Sequence, residues 1–291
     1  MDPAHQTDPS FLPVQGGDRF RWIRLIGQGS HGEVWLAEDR SQDGHVAVKV
    51  FCGNDALRER SQNEDLGIPT LSHPHLVRVF EVVECEQSTL LVMEHVSGKT
   101  LQNWLRRGRL AVDLATELTV QIAQGLNHIH DRGILHCDVK PANILVAKGP
   151  LAKLTDFGCA ERWSPGTEAT PHSNVVGTRP YLSPEQISGQ AIDPRADLYS
   201  LGVIFYEMLT GQRPFQGTDE EIQEQILTQA PPAPHRLHRD IPRATSEVCL
   251  RAISKNRDHR YESARDLAQA LESSRTRSGF MGLWKLFSTR R

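Results

Sequence analysis

His136-Cys137-Asp138-Val139-Lys140-Pro141-Ala142-Asn143, followed after a short strand-like stretch by Asp156-Phe157-Gly158, is the run that decides how this chain is read. It places two acids and an asparagine in loops beside short apolar runs. Carboxylate and amide oxygens of this kind bind hard cations such as magnesium, and a carboxylate so placed can polarise a hydroxyl. Toward the C-terminus follow Tyr181-Leu182-Ser183-Pro184-Glu185 and Asp197-Leu198-Tyr199-Ser200-Leu201-Gly202. Toward the N-terminus lies Ile26-Gly27-Gln28-Gly29-Ser30-His31-Gly32-Glu33-Val34, then Val46-Ala47-Val48-Lys49. Any one of these motifs arises by chance, but the ordered set does not.

The glycine-rich motif is weak alone, because GxGxxG also marks dinucleotide sites. Its setting discriminates: a dinucleotide fingerprint opens a helix, whereas strand-like residues flank this one on both sides. Bare backbone here lets phosphate approach closely. A lysine on the next strand can then act as a point charge toward phosphate, although a lone strand lysine is usually a solvated edge residue.

Short apolar runs between Phe20 and about Val96 predict five strands of a small antiparallel sheet, with one helical interruption at about 55–68. After Gly98 the spacing becomes helical. One helix is expected to stop at Gly133, and another to start with Asp193 as N-cap and Pro194 in its first turn. Thr218 and Glu221 form a capping-box signature, and helices at about 243–255 and 262–273 close the domain. Residues 1–17 read as a loose, Pro- and Gly-containing tail.

The 291 residues are 38% hydrophobic and 24% charged with net charge −3, an ordinary globular composition with no electrostatic case for nucleic acid. No run approaches the roughly 18 apolar residues of a spanning helix, and the first residues lack the basic flank and apolar core of a signal peptide. Five scattered cysteines, none in a CxxC pair, point to free thiols and a cytoplasmic location. His128 and His130, two apart on a helix, point to opposite faces and do not make a metal pair.

The ordered motifs resemble the eukaryotic-like Ser/Thr protein kinase family, and the local style is similar to its bacterial members. The resemblance covers about 18–274. It implies an α+β, bilobal fold: a small antiparallel sheet lobe plus one helix (18–96), then a larger, mainly helical lobe (97–274). It also implies ATP and Mg2+ as cofactors and proteins as substrates. Ile26, Gly27, Gly29 and Gly32 match the loop over the ATP phosphates, and Val34, Ala47 and Leu145 the residues that sandwich adenine. Lys49 matches the phosphate-binding lysine, with Glu64 as its ion-pair partner. Met93 falls at the gatekeeper, and Glu94 and Val96 at the hinge. Asp138 matches the carboxylate serving the substrate hydroxyl, Lys140 the lysine near the γ-phosphate, and Asn143 and Asp156 the magnesium ligands. Thr178 matches a threonine contacting the Asp–Lys pair. Glu185 and Arg260 match a buried structural ion pair, and Asp197 the helix acid holding the catalytic loop; all three are read as architectural.

Three departures stand out. Cys137 replaces the usual Arg before the catalytic Asp, Ser183 replaces Ala, and Pro69 must end or kink the helix carrying Glu64 soon after it. A neutral thiol cannot receive a phosphate on the activation segment. Phosphorylation at Ser164, Thr167, Thr170 or Ser173 is therefore expected to be unnecessary for activity, with Arg162 able to substitute in part. The alternatives are a pseudokinase that binds ATP without turnover and a small-molecule kinase of the aminoglycoside type. Residues 275–291 combine Phe280, Met281, Leu283, Trp284, Leu286 and Phe287 with five basic residues and no acid. This suits contact through 278–291 with an anionic membrane or a partner groove, or packing back on the large lobe.

Overall fold

The computed structural model describes residues 19–29, 32–41, 44–52, 66–85, 88–164 and 179–287. The chain divides into two compact units on either side of Ser97 and Gly98. Residues 55–65 of the expected helix, Glu64 among them, lie outside the described residues; its last residues are not α-helical, Leu66 and Gly67 forming a turn and Ile68 opening a 3-10 helix. Beyond them, Pro69 sits in a single 3-10 turn, Ile68–Thr70.

The first unit is one antiparallel sheet of β1 (Phe20–Gly29), β2 (Gly32–Asp39), β3 (Gly44–Cys52), β4 (Val79–Cys85) and β5 (Ser88–Glu94), in the order β1-β2-β3-β5-β4. Side chains alternate along each strand. Val46, Val48 and Val50 of β3 therefore share a buried cluster with Phe20, Trp35, Ala37, Leu90 and Val92. Ala47 and Lys49 point to the other face, in register with Met93 and Leu91 of β5 and with Leu36 and Val34 of β2. The chain entering β1 is clamped by Arg19, whose guanidinium donates to both oxygens of buried Asp39 (3.0 and 2.7 Å) and to Glu81. These bonds hold the Asp39 carboxyl down at about 2.

The second unit is mainly helical. In chain order its helices are α1 (Leu101–Leu105), α2 (Val112–His130), α3 (Pro184–Ile187), α4 (Pro194–Thr210), α5 (Asp219–Thr228), α6 (Pro234–Leu237), α7 (Arg243–Ala252) and α8 (Ala264–Phe287). The centre is α4, with 14 of its 17 residues buried. It begins as the sequence predicts, with the Asp193 side chain accepting from Arg195 N–H and Pro194 in the first turn, and it ends on Gly211 at φ 77°. The Thr218–Glu221 capping box is also present. Two helix ends differ from expectation: α7 stops at Ala252, and α8 runs on to Phe287 where the sequence suggests a stop near 273. Gly279 and Gly282 fall in that extension, but glycine costs only about 1 kcal/mol in a helix and no proline intervenes.

Small strands present the loops. β6 (Gly98–Thr100), β8 (Ile144–Ala147) and β9 (Leu151–Leu154) form one antiparallel sheet, and β7 (Ile134–Leu135) pairs with β10 (Glu161–Arg162). Asp138 follows β7, Asn143 immediately precedes β8, and Asp156 follows β9. All three candidate residues therefore sit in loops next to short strands within one unit.

Candidate active site

The geometry starts from Asp197, buried in the first turn of α4. Its Oδ2 accepts from the His136 amide at 2.9 Å and meets His130 Nε2 at 2.8 Å, while Oδ1 accepts from the Cys137 amide at 2.9 Å. Burial alone would raise this carboxyl, but these hydrogen bonds and the neighbouring histidines outweigh it and hold it below the usual carboxylate range. One carboxylate thus fixes two successive peptide N–H groups just before Asp138.

That anchoring supports an unfavourable backbone. Cys137 has φ 63° and Asp156 φ 69°, the only non-glycine residues with positive φ among those described. Each such conformation costs about 1–3 kcal/mol and persists only where surrounding contacts over-determine it. At Cys137 they do: Asp197 takes its N–H, and Gln186 Nε2 donates to its carbonyl at 3.3 Å. Its half-buried thiol packs beside Trp163 against Leu135, Ile192 and Ala196. Burial, followed by the negative charge of Asp197, pushes this thiol well above its ordinary pKa, so it stays protonated at neutral pH.

His136 is buried and bridges the two loops. Its Nδ1 faces the Asp138 amide (3.4 Å), its Nε2 faces the Thr155 carbonyl (3.2 Å), and its ring lies 5.2 Å from that of Phe157. An amide can only donate, so Nδ1 accepts and Nε2 carries the proton. The Thr155 amide donates in turn to the Asn143 carbonyl at 2.9 Å, which sets Asp156 one residue from a backbone bond to Asn143.

The Asp138 carboxylate is held asymmetrically. Oδ2 meets Lys140 Nζ at 2.6 Å and Asn143 Nδ2 at 3.0 Å, and the same Nδ2 also donates to the Asp138 carbonyl at 3.0 Å. Among the described residues Oδ1 of Asp138 has no partner, and neither has the side-chain oxygen of Asn143, whose amide nitrogen is committed. The site therefore offers an open carboxylate oxygen beside an amide oxygen and the half-buried Asp156. Such hard oxygen donors suit magnesium, which takes one or two protein carboxylates and fills its remaining positions with phosphate and water. Among the described residues no group of three or more His, Cys, Asp or Glu could hold a metal alone.

Glu185 and Arg260 lie deeper and form a buried bidentate pair at 2.6 and 2.8 Å. The remaining guanidinium donors reach the carbonyls of Ser254, Arg195 and Lys255, so all five N–H groups are used. In the first unit Lys49 is buried, with Nζ 4.8 Å from the Phe51 ring centroid. Glu94 donates its N–H to the Arg78 carbonyl at 2.8 Å, and Val96 is half-buried. Leu145 lies on β8 opposite Lys153 and Thr100. Gly32 has φ 121°, and a Cβ there would collide with the Val50 carbonyl oxygen, so the fold itself demands glycine. At Gly27 a Cβ would meet only Val34 atoms at 3.6 and 3.8 Å, so packing does not explain its bare backbone. Thr178 lies outside the described residues. Sequence reasoning missed His130 as a partner of Asp197, and Thr155 and Gln186 altogether; each acts through a contact that spacing does not reveal.

Replacing Asp197 by Asn turns one acceptor into a donor facing an amide, and a buried donor left unpaired costs about 1–3 kcal/mol. Asp197→Asn should lower the urea midpoint at pH 7 accordingly. The folded carboxyl lies below its unfolded value, so its contribution is complete above about pH 4 and fades as pH falls through the folded pKa. The gap between wild type and variant should therefore be constant from pH 5 to 7 and shrink only in stronger acid. An equal midpoint at pH 7 would remove Asp197 as the anchor.

Residues 20–274 match the model of the protein kinase domain family. A "Probable serine/threonine-protein kinase" of Clostridium perfringens is 35% identical over 268 residues, covering 88% of this chain and 38% of that protein. The serine/threonine-protein kinase PknB of Mycolicibacterium smegmatis is 37% identical over 267 residues, covering 88% of this chain and 43% of its own length. PknB of Mycobacterium leprae is 36% identical over 266 residues, with 88% and 43% covered. The chain thus spans about two fifths of the length of the curated relatives it matches. With a match over nearly its whole length and the loop geometry above, the chain belongs to the protein kinase domain family.

Proposed function

We propose that this chain transfers the γ-phosphoryl group of ATP to serine or threonine hydroxyls of protein substrates. The observation that carries the reading is the asymmetric grip on Asp138: Lys140 and Asn143 hold Oδ2, and Oδ1 is left to accept a proton from an incoming hydroxyl. Lys140, at 2.6 Å from that carboxylate, carries positive charge to the place where phosphate charge develops. Asn143 Oδ1 and Asp156 would hold Mg2+, which would offset the negative charge of the phosphates. Lys49 serves the phosphates with Glu64 as its partner. Gly27, Gly29 and Gly32 let backbone approach those phosphates, and Ile26, Val34, Ala47, Leu145, Glu94 and Val96 receive the adenine. Thr178 supports the Asp138–Lys140 pair. The names of the relatives agree with serine and threonine as acceptors.

Asp138→Asn should lower phosphate incorporation into a Ser/Thr peptide by about 10²–10⁴-fold, the usual contribution of a positioned base. The thermal shift given by ATP with magnesium should persist, because Asp138 serves the acceptor. Near-normal transfer by the variant would remove Asp138 from the chemistry. A wild type that binds ATP but transfers nothing would favour the pseudokinase alternative.

The thiol at 137 removes the cation that receives an activation-segment phosphate in many family members. Peptide turnover by the variant with Ser164, Thr167, Thr170 and Ser173 all replaced by Ala, and by phosphatase-treated wild type, should stay within about twofold of untreated wild type, since one charge-assisted pair is worth roughly tenfold or more. A tenfold loss would show that the segment is switched by phosphate, with Arg162 as the candidate receiver.

The protein's place of work is proposed to be the cytoplasm, peripheral to an anionic membrane. Among the described residues no helix is long and apolar enough to cross one. Support comes from the helical backbone of α8 to Phe287 together with the i, i+3, i+4, i+7 spacing of Phe280, Leu283, Trp284 and Phe287. Full-length protein should co-sediment with anionic phospholipid vesicles and a 1–274 truncation should not. Equal sedimentation of the two would remove this function of the tail and leave a partner groove or packing on the large lobe.

A further inference from the structure

Gln186 sits at the third position of α3 and makes two kinds of contact with its one amide. Its Oε1 accepts from the Ser183 backbone N–H at 3.0 Å and the Ser183 hydroxyl at 3.1 Å, completing a capping box in which Ser183 Oγ accepts from the Gln186 amide at 3.4 Å. A backbone N–H only donates, so the oxygen end of the amide is fixed toward Ser183. The nitrogen end must then face the other way, and there it meets the carbonyl of Cys137.

That carbonyl belongs to the peptide joining Cys137 to Asp138. Its rotation sets the direction of the Asp138 amide, which points at His136 Nδ1, and hence the position from which the carboxylate is launched. Asp197 controls the N–H side of Cys137, and Gln186 alone among the described side chains controls the carbonyl side. The backbone at this residue is left-handed, a conformation that springs back when its restraints are removed. Position 137 supplies no side-chain cation, and its thiol is spent on packing.

We infer that Gln186 is a positioning residue for Asp138, acting through the Cys137 carbonyl. It couples the chain that leaves the activation segment at Ser183 to the catalytic loop by a neutral hydrogen bond that needs no phosphate. This rests on Asp138 serving the acceptor hydroxyl, as proposed above.

Gln186→Glu separates the two jobs of the amide. Glutamate is the same size and is favoured at this position of a capping box, so Ser183 keeps its acceptor and α3 its start. The other oxygen, however, now faces the Cys137 carbonyl with no hydrogen to give. Gln186→Met, uncharged, removes both contacts and controls for the added negative charge. Both variants should lose about tenfold in kcat on a Ser/Thr peptide while KM for ATP and for peptide stays within about twofold, because an orienting contact acts on the reacting geometry. Only Gln186→Met should also melt lower, through the lost cap. Hydrogen exchange in a peptide spanning 136–140 should quicken in both, a readout that requires no turnover. Unchanged kcat in Gln186→Met beside an active wild type overturns the inference, as does unchanged exchange in both variants. A wild type that transfers no phosphate overturns the kinase reading instead, and the exchange measurement still decides the role of Gln186.

Discussion

The second unit depends on one buried carboxylate. Asp197 is out of water, and an unpaired charge there would cost far more than this fold could offset. It is tolerated because two backbone amides and an imidazole nitrogen surround it, and because it lies in the first turn of a helix whose N-terminus favours negative charge. The same bonds that make the charge tolerable determine the path of residues 136 and 137. The cost of burying Asp197 is therefore what orders the loop: any other course of that loop strands the carboxylate.

A second buried ionic group converges on the same end of α4. Arg260 donates to the carbonyl of Arg195 in the first turn of that helix, and its bidentate partner Glu185 lies on α3. Buried pairs of this kind add little net stability over an apolar replacement, but removing one partner is costly. Their effect is to fix location. Here the located element is α3, a single turn whose neighbouring residues Glu185 and Gln186 reach in different directions, one to Arg260 and one to the catalytic loop. The chain returning from the activation segment is thereby tied at adjacent positions to the core and to the site.

Much of this was legible in the sequence because the residues proposed for the chemistry are unusual where they occur. Acids and an asparagine beside apolar strand-like runs stand out, and Asp138, Asn143 and Asp156 do lie at strand ends. The caps at Asp193 and Thr218 were legible for a related reason: local hydrogen bonds leave local signatures. The partners that hold the site are different. His130, Gln186 and the amides of 136 and 137 meet their partners across 49 to 67 residues, and in all but the His130–Asp197 contact half of the bond is backbone, which carries no residue identity. His130 was visible only as one histidine of a helical pair. The continuation of α8 past 273 leaves no such signature: Gly279 and Gly282 lower helix propensity there, although no proline ends the helix.

Cys137 shows how a missing charge reshapes the problem. A cation at that position would draw order from a phosphate, an interaction that is strong but conditional on modification and weakened by salt. The thiol found there instead joins an apolar cluster, and burial keeps it neutral. Restraint on the peptide must then come from groups that are always present, namely a buried carboxylate on the N–H side and a carboxamide on the carbonyl side. Both are short-ranged, and one is uncharged. On the reading proposed above such a loop needs no charge-changing event, and its path is set by the segments that carry those groups. For Asp197 that segment is the core helix α4, most of whose residues are buried. For Gln186 it is the one-turn helix α3, whose place is set in turn by the buried Glu185–Arg260 pair, so the carbonyl side of the peptide is restrained through a single turn and the ion pair that locates it.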